Sequence, residues 1–319
     1  MRSSWIRLGP AVAALALWAS PMGAEAQDDL ARLCTRLEGG VGECHVAAAG
    51  VRLLHPRLGL ALWGGSPVPG SASTLGMRLG TMPRLSFSTR VVVVPVALAP
   101  LVDRGDRDGG RTLRTGFSTQ ATVGLLTGFS PVPTVGGVLS LDAIGRVSYV
   151  PLPEDAGFTG GGVWGWSAAL RLGALRESFT LPGISLTGRV GRSTGVTYGD
   201  PSGSTDGYLD GAMTSLGATL AATKRFSALG ITAGVAIDRY GGDVELGYRP
   251  TPLGARVEES AAADTDRWSG FVNASWTFLV VHGVAELGWQ EAPRPEGLPA
   301  DVSVDPAAWW AGVALRLSI

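Results

Sequence analysis

The sequence predicts an all-β protein, a closed antiparallel transmembrane β-barrel of about 12 strands, with 10 or 14 as the alternatives. Three observations predict it. Apolar and polar residues alternate with a period of two from near residue 45 to the last residue. The alternating segments are long, often about ten residues or more, where soluble strands run about five or six and a tilted bilayer-crossing strand needs roughly 9–11. The connections between them are alternately short and long.

Composition sets the frame for this reading. Of 319 residues 47 are glycine, only 17% are charged, and the mean hydropathy is +0.22. That is too apolar and too glycine-rich for an ordinary soluble domain with a charged surface. Past the N-terminus, however, no uninterrupted apolar run reaches the roughly 20 residues of a spanning helix. A chain that is apolar in sum but not in any one stretch fits strands with one face to lipid and one to water.

The N-terminus reads as an export signal: Arg2 and Arg7, an apolar run over Ala11–Ala19, then the small-residue site Ala24-Glu25-Ala26. Cleavage is expected before Gln27, so residues 1–26 are signal peptide. Removing Arg2, Arg7 and Glu25 takes the chain from 26 basic and 27 acidic residues to 24 and 26, a net charge of −2. No basic arm is present to hold nucleic acid. Export places Cys34 and Cys44 in an oxidising compartment, where a disulfide between them is expected. Zinc binding by the two thiols with His45 leaves a ligand short, so no metal site is expected.

The alternation can be followed strand by strand. Leu113, Thr115, Phe117, Ala121, Val123 and Leu125 share one parity; Arg114, Gly116, Ser118, Gln120, Thr122 and Gly124 share the other. The last segment repeats the pattern, with Trp309, Ala311, Val313, Leu315, Leu317 and Ile319 opposite Trp310, Gly312, Ala314, Arg316 and Ser318. Strands are expected over 45–64, 74–82, 84–98, 112–129, 136–150, 161–175, 181–197, 208–225, 230–248, 267–279, 281–290 and 307–319. Long connections over 65–73, 100–111, 151–160, 199–207, 249–266 and 291–306 carry Pro, Gly and Asp, as irregular backbone in water does. Segment 45–64 fits least well: its apolar parity switches at His55-Pro56, which asks for a bulge or a separate hairpin. Before it, Leu30, Leu33 and Leu37 recur at helical spacing, so residues 27–44 are expected to form a short periplasmic helix, as a lumen plug or as a plain tether. The barrel would then occupy 45–319 as one domain.

Taken together, these segments resemble the bacterial outer-membrane β-barrel class over nearly the whole exported chain, as a likeness of architecture and not of one family. The resemblance implies a polar lumen, periplasmic termini, residence in outer-membrane lipid, and handling by the barrel assembly machinery, which reads an amphipathic last strand. Trp309–Ile319 has that alternation, although members usually finish on an aromatic residue and this chain finishes on Ile319. The resemblance implies no activity.

Charges on the inward parity are Arg78, Arg114, Asp142, Arg146, Arg171, Arg189, Asp238, Glu245, Glu286 and Arg316. An Arg facing lipid at mid-depth costs about 2–4 kcal/mol, so these groups should face the lumen. There they either line a water-filled pore for small solutes or pair with one another and close it. Trp63, Phe129, Tyr149, Trp164, Trp166, Tyr208, Phe226, Tyr248, Trp268, Phe278, Trp289 and Trp309 fall near strand ends, where interfacial aromatic girdles belong. Of three histidines, His282 lies on the lumen parity four residues from Glu286, as an acid–base couple or, more commonly, a satisfied lumen pair. No nucleophile elbow, phosphate loop or dinucleotide fingerprint is present, so neither an enzyme nor a cofactor is expected. The function expected is a porin-like channel or a structural membrane protein. The alternatives are a barrel enzyme acting on lipid, or a binding protein working through its long loops.

Overall fold

The computed structural model describes residues 41–65, 84–97, 111–130, 137–179, 181–202, 207–248, 257–291 and 307–318. The described residues form one long helix, α1 (Val41–Trp63), and thirteen strands. The first three strands are β1 (Arg84–Ala97), β2 (Arg111–Leu126) and β3 (Ser140–Pro151). After a single 3-10 turn come β4 (Phe158–Thr159), β5 (Gly162–Leu175), β6 (Gly183–Gly199), β7 (Gly207–Phe226) and β8 (Leu229–Gly241). The chain finishes with β9 (Asp243–Tyr248), β10 (Val257–Ala262), β11 (Thr265–Phe278), β12 (Val281–Glu291) and β13 (Ala307–Ser318).

Ten strands close a ring in the order β1, β2, β3, β5, β6, β7, β8, β11, β12, β13, every neighbour antiparallel. The closure is direct: Ser86 to Val93 of β1 pair with Ser318 to Ala311 of β13, while the other edge of β1 pairs with β2. A closed ring leaves no row of unpaired backbone groups, which is what a sheet needs where water is absent. Three strands lie outside the ring. β4 pairs with the end of β6. β9 resumes the course of β8 after Gly242 and pairs with the first residues of β7, and β10 pairs with β9. All three extend the wall at one end, where the long connections lie; the other end carries the tight turns Phe226–Leu229 and Phe278–Val281.

The ring has ten strands, the lower of the two alternatives to about 12. The structure makes residues 45–64 a helix, not a strand, and 74–82 lies outside the described residues. The barrel wall among the described residues therefore starts at Arg84 rather than at 45. The expected single strand 230–248 is broken at Gly242 into β8 and β9, and the expected loop 249–266 contains β10. Of the expected N-terminal segment 27–44, residues 27–40 lie outside the described part and 41–44 open α1; Cys34, Arg78 and the signal peptide also lie outside it.

Burial follows the strand parity. On β13 Ala308, Trp310, Arg316 and Ser318 are buried, while Trp309, Val313, Leu315 and Leu317 are exposed. On β11 Thr265, Arg267, Ser269, Phe271, Asn273 and Ser275 point inward, and Trp268, Val272 and Trp276 point outward. The outer face is thus apolar and the inner face carries the Ser, Thr, Arg and Asp, the reverse of a soluble sandwich.

Candidate functional site: the filled lumen

The lumen is occupied by α1. Apart from Arg52, His55 and Arg57, the described side chains of the helix are apolar around its whole circumference, as suits a helix enclosed by wall. Val51, Leu54, Leu58, Leu60, Ala61, Leu62 and Trp63 are each at most 2% exposed. They pack on an apolar belt in the long-loop half of the barrel that includes Val92, Val94 and Val96 of β1, Val150 of β3, Met213 of β7, Tyr240 of β8 and Leu246 of β9. Burial of each large side chain contributes about 1.5–3 kcal/mol, which offsets Pro56 within the helix, a residue that costs roughly 3 kcal/mol there.

Ten strands enclose little room, and an α-helix with side chains is about 10–12 Å across. The wall is therefore pared back where the helix passes. A Cβ on Gly116 of β2 would lie 2.9 Å from the Ala61 carbonyl oxygen, and one on Gly191 of β6 would lie 2.9 Å from Trp63 Cε2. On the helix side, Gly59 faces the ring of Tyr240, which a Cβ would penetrate.

The helix ends at mid-barrel, and its exposed carbonyls meet donors from the wall. The last turn of a helix leaves carbonyls without partners and carries partial negative charge. Ser148 Oγ donates to the Leu62 carbonyl at 2.6 Å. Arg146 Nη1 donates to the carbonyls of Trp63 at 2.8 Å and Gly64 at 3.2 Å. Arg189 Nη1 also donates to the Trp63 carbonyl. Each arginine is held in turn. Arg146 donates from Nε and Nη2 to Gln120 Oε1, at 3.1 and 2.7 Å. Arg189 Nη2 pairs with Asp238 Oδ1 at 2.6 Å. Two more buried pairs complete the ring of charge: Arg90 with Glu286 at 2.7 Å, its guanidinium 5.1 Å from the Trp310 ring centroid, and Arg171 with Asp142 at 2.7 Å.

Of the charges expected in the lumen, Asp142, Arg146, Arg171, Asp238, Glu286 and Arg316 are buried on the inner face, and Arg189 is nearly so. Arg114 is half-buried near the long-loop end, with its guanidinium 5.9 Å from the Phe158 ring. Glu245 is a correction: it is exposed on β9, outside the ring, and accepts from the Tyr208 hydroxyl. Val244 and Leu246 keep the inward parity of Asp238 and Tyr240 across the break at Gly242, so Glu245 faces out. The sequence reading missed Arg90; its parity with Ser86 and Ser88 was the available signal, masked by the run Val91–Val94 that follows. His282 and Glu286 do not form a couple. The His282 ring Nδ1 is bonded with Thr277 Oγ1 at 2.8 Å, and Glu286 is held by Arg90. Cys44 lies in the first turn of α1, and its side chain and Cys34 are outside the described residues. Among the described residues no group of three or more metal-ligating side chains occurs.

The outer face carries two aromatic sets. Toward the long-loop end lie Trp164, with Tyr149 at 4.7 Å between ring centroids, Trp268, and Trp289 directly opposite Trp309. Toward the short-turn end lie Phe129, Phe179, Phe226 and Phe278, each more than half exposed. Trp63 and Tyr208 leave the expected girdle, because both are buried.

No family model matches the chain, and no curated protein does. Among solved structures, the outer membrane protease OmpT from Escherichia coli is similar at 9% identity, covering 76% of this chain and 99% of that one, with a TM-score of 0.41. The translocator domain of the autotransporter NalP from Neisseria meningitidis is similar at 11% identity, over 74% and 88% of the two chains, with a TM-score of 0.41. The toluene transporter TodX from Pseudomonas putida is similar at 11% identity, over 85% and 97%, with a TM-score of 0.33. With its closed ring, apolar outer face and polar inner face, the chain has the architecture of the bacterial outer-membrane β-barrel proteins.

Proposed function

We propose that this protein is an outer-membrane barrel held shut by its own N-terminal helix, a structural membrane anchor rather than an open porin. The observation that carries the proposal is the seating of α1. Its apolar sides fill the long-loop half of the lumen, and its last carbonyls are bound by Arg146, Arg189 and Ser148. Of the charges that would set ion preference in an open pore, Arg90, Asp142, Arg146, Arg171, Arg189, Asp238 and Glu286 are instead bound to one another, to Gln120 or to the helix end.

The exposed apolar face supports insertion in a bilayer. A soluble protein rarely presents contiguous apolar surface beyond a few hundred Å². With short turns on the periplasmic side and long connections outside, the usual arrangement for this class, the start of α1 lies at the outer end and its C-terminus at mid-depth. An epitope inserted between Gly40 and Val41 should then be reached by antibody on intact cells; labelling only after the outer membrane is opened would reverse this orientation.

Planar-bilayer conductance of the full exported chain tests the anchor reading. The intact protein should show no steady conductance, and a variant lacking residues 41–65, verified as folded by heat-modifiable gel migration, should conduct. Steady channels from the intact protein would defeat the reading.

A further inference from the structure

Below the end of α1, in the short-turn half of the lumen, the charge is out of balance. Arg316 of β13 is 6% exposed and points inward, and its Nε has no hydrogen-bond partner. Its guanidinium makes no ion pair with any carboxylate among the described residues. Register places it beside Ser88 of β1 and His282 of β12. Ser88 is 3% exposed and its hydroxyl likewise has no partner. With its Nδ1 bonded to Thr277, His282 leaves Nε2 as its second polar atom. Arg171 and Arg225 both lie within electrostatic reach of Arg316, and His282 lies within reach of Arg316 and Arg225.

Among the described residues, the nearby carboxylates are committed elsewhere. Asp142 is bound to Arg171 at 2.7 Å. Glu286 is bound to Arg90, nearer the helix end. Glu177, at the rim, accepts the backbone N–H of Arg225.

We propose that this half of the lumen is a binding site for a small phosphate-type oxyanion, with Arg316 as its anchor and Ser88 and His282 beside it. An unpaired buried guanidinium costs several kcal/mol, and a charge-assisted fork onto an oxyanion is the interaction that offsets it. Arg171, already held in place by Asp142, and Arg225 at the mouth add attraction for an anion arriving from the short-turn side. The oxyanion is either free in solution or the headgroup of an anionic lipid. The inference needs the barrel but not the closure of its upper half, so it stands apart from the anchor reading.

The test is titration calorimetry on the full exported chain in detergent and chloride buffer. One arm uses inorganic phosphate and the other a short-chain phosphatidic acid. Saturable binding of inorganic phosphate, weakened at least tenfold in Arg316→Gln and unchanged in Arg239→Gln at the opposite end, supports a free oxyanion. Binding of the lipid alone with the same dependence on Arg316 supports the headgroup source. Arg316→Gln should also melt no lower than the parent in phosphate-free buffer, because it removes an unpaired charge; a purely structural arginine would lower the melting point. If Arg316→Gln does not fold, Ser88→Ala decides, with a several-fold loss of affinity expected. Absence of saturable binding in both arms, or affinity independent of Arg316 and Ser88, overturns the proposal.

Discussion

Arg146 of β3 donates to the carbonyl of Trp63, the last residue of α1, at 2.8 Å. That contact joins the wall of the barrel to what fills it, in a place where both partners are buried. The helix end offers oxygen without partners, and the wall offers a guanidinium fixed by Gln120.

Arg146→Ala should therefore loosen the helix more than the wall. It takes one of two donors from the Trp63 carbonyl and the Arg146 donor from the Gly64 carbonyl, at a cost of about 1–3 kcal/mol. The expected result is intermittent conductance in planar bilayers, with the ten-strand barrel still resistant to detergent. Arg146→Lys should recover only part of the closure, because a single ammonium cannot reproduce the fork that holds Gln120 and the helix end together.

The Arg90–Glu286 pair makes a second prediction. Glu286→Gln leaves a buried cation uncompensated, and breaking such a pair costs about 3–5 kcal/mol. The temperature at which the folded gel band is lost should fall. The double variant Arg90→Met with Glu286→Leu should recover much of the loss, since neither charge is then stranded. A double variant as unstable as Glu286→Gln would mean the pair is not the source of the effect.

Two adjacent tryptophans test membrane insertion. Trp309 is 61% exposed on the outer face and Trp310 is 2% exposed on the inner face. In vesicles of brominated lipid, a variant keeping only Trp309 should be strongly quenched and one keeping only Trp310 should not. Equal quenching would mean that the two sides of β13 do not meet different solvents.

Much of this barrel is legible in the sequence because a strand with one apolar and one polar face has a strict period of two. From β1 onward the expected and observed strands of the ring agree within a few residues except at β8–β9, β4 and β10 form where loops are expected, and Asp142, Arg171 and Arg316 lie on the inner face that their parity assigns. Agreement fails where that rule does not apply. α1 lies inside the barrel and buries every side, so it shows no stripe of period 3.6; Ala47, Val51 and Leu53, then Leu58, Leu60 and Leu62, mimic two short strands on either side of Pro56. Glu245 is misplaced for a related reason. Placing it inward assumes that a charge must face the lumen, but β9 stands beyond the ten-strand ring, where an outward carboxylate is hydrated. The binding of the helix end by Arg146 and Arg189 has no local signature, because the partners are separated by 83 and 126 residues.

The most direct test of a helix-filled barrel is a cross-link between α1 and the wall. Leu62→Cys with Ser148→Cys should join under mild oxidation in the membrane, since Ser148 Oγ lies 2.6 Å from the Leu62 carbonyl oxygen. Ser118→Cys with Ser148→Cys, directly opposite each other in the β2–β3 register, is the wall control. Both pairs should form a disulfide; a linked control beside an unlinked Leu62–Ser148 pair would place α1 outside the lumen and contradict a helix-filled barrel.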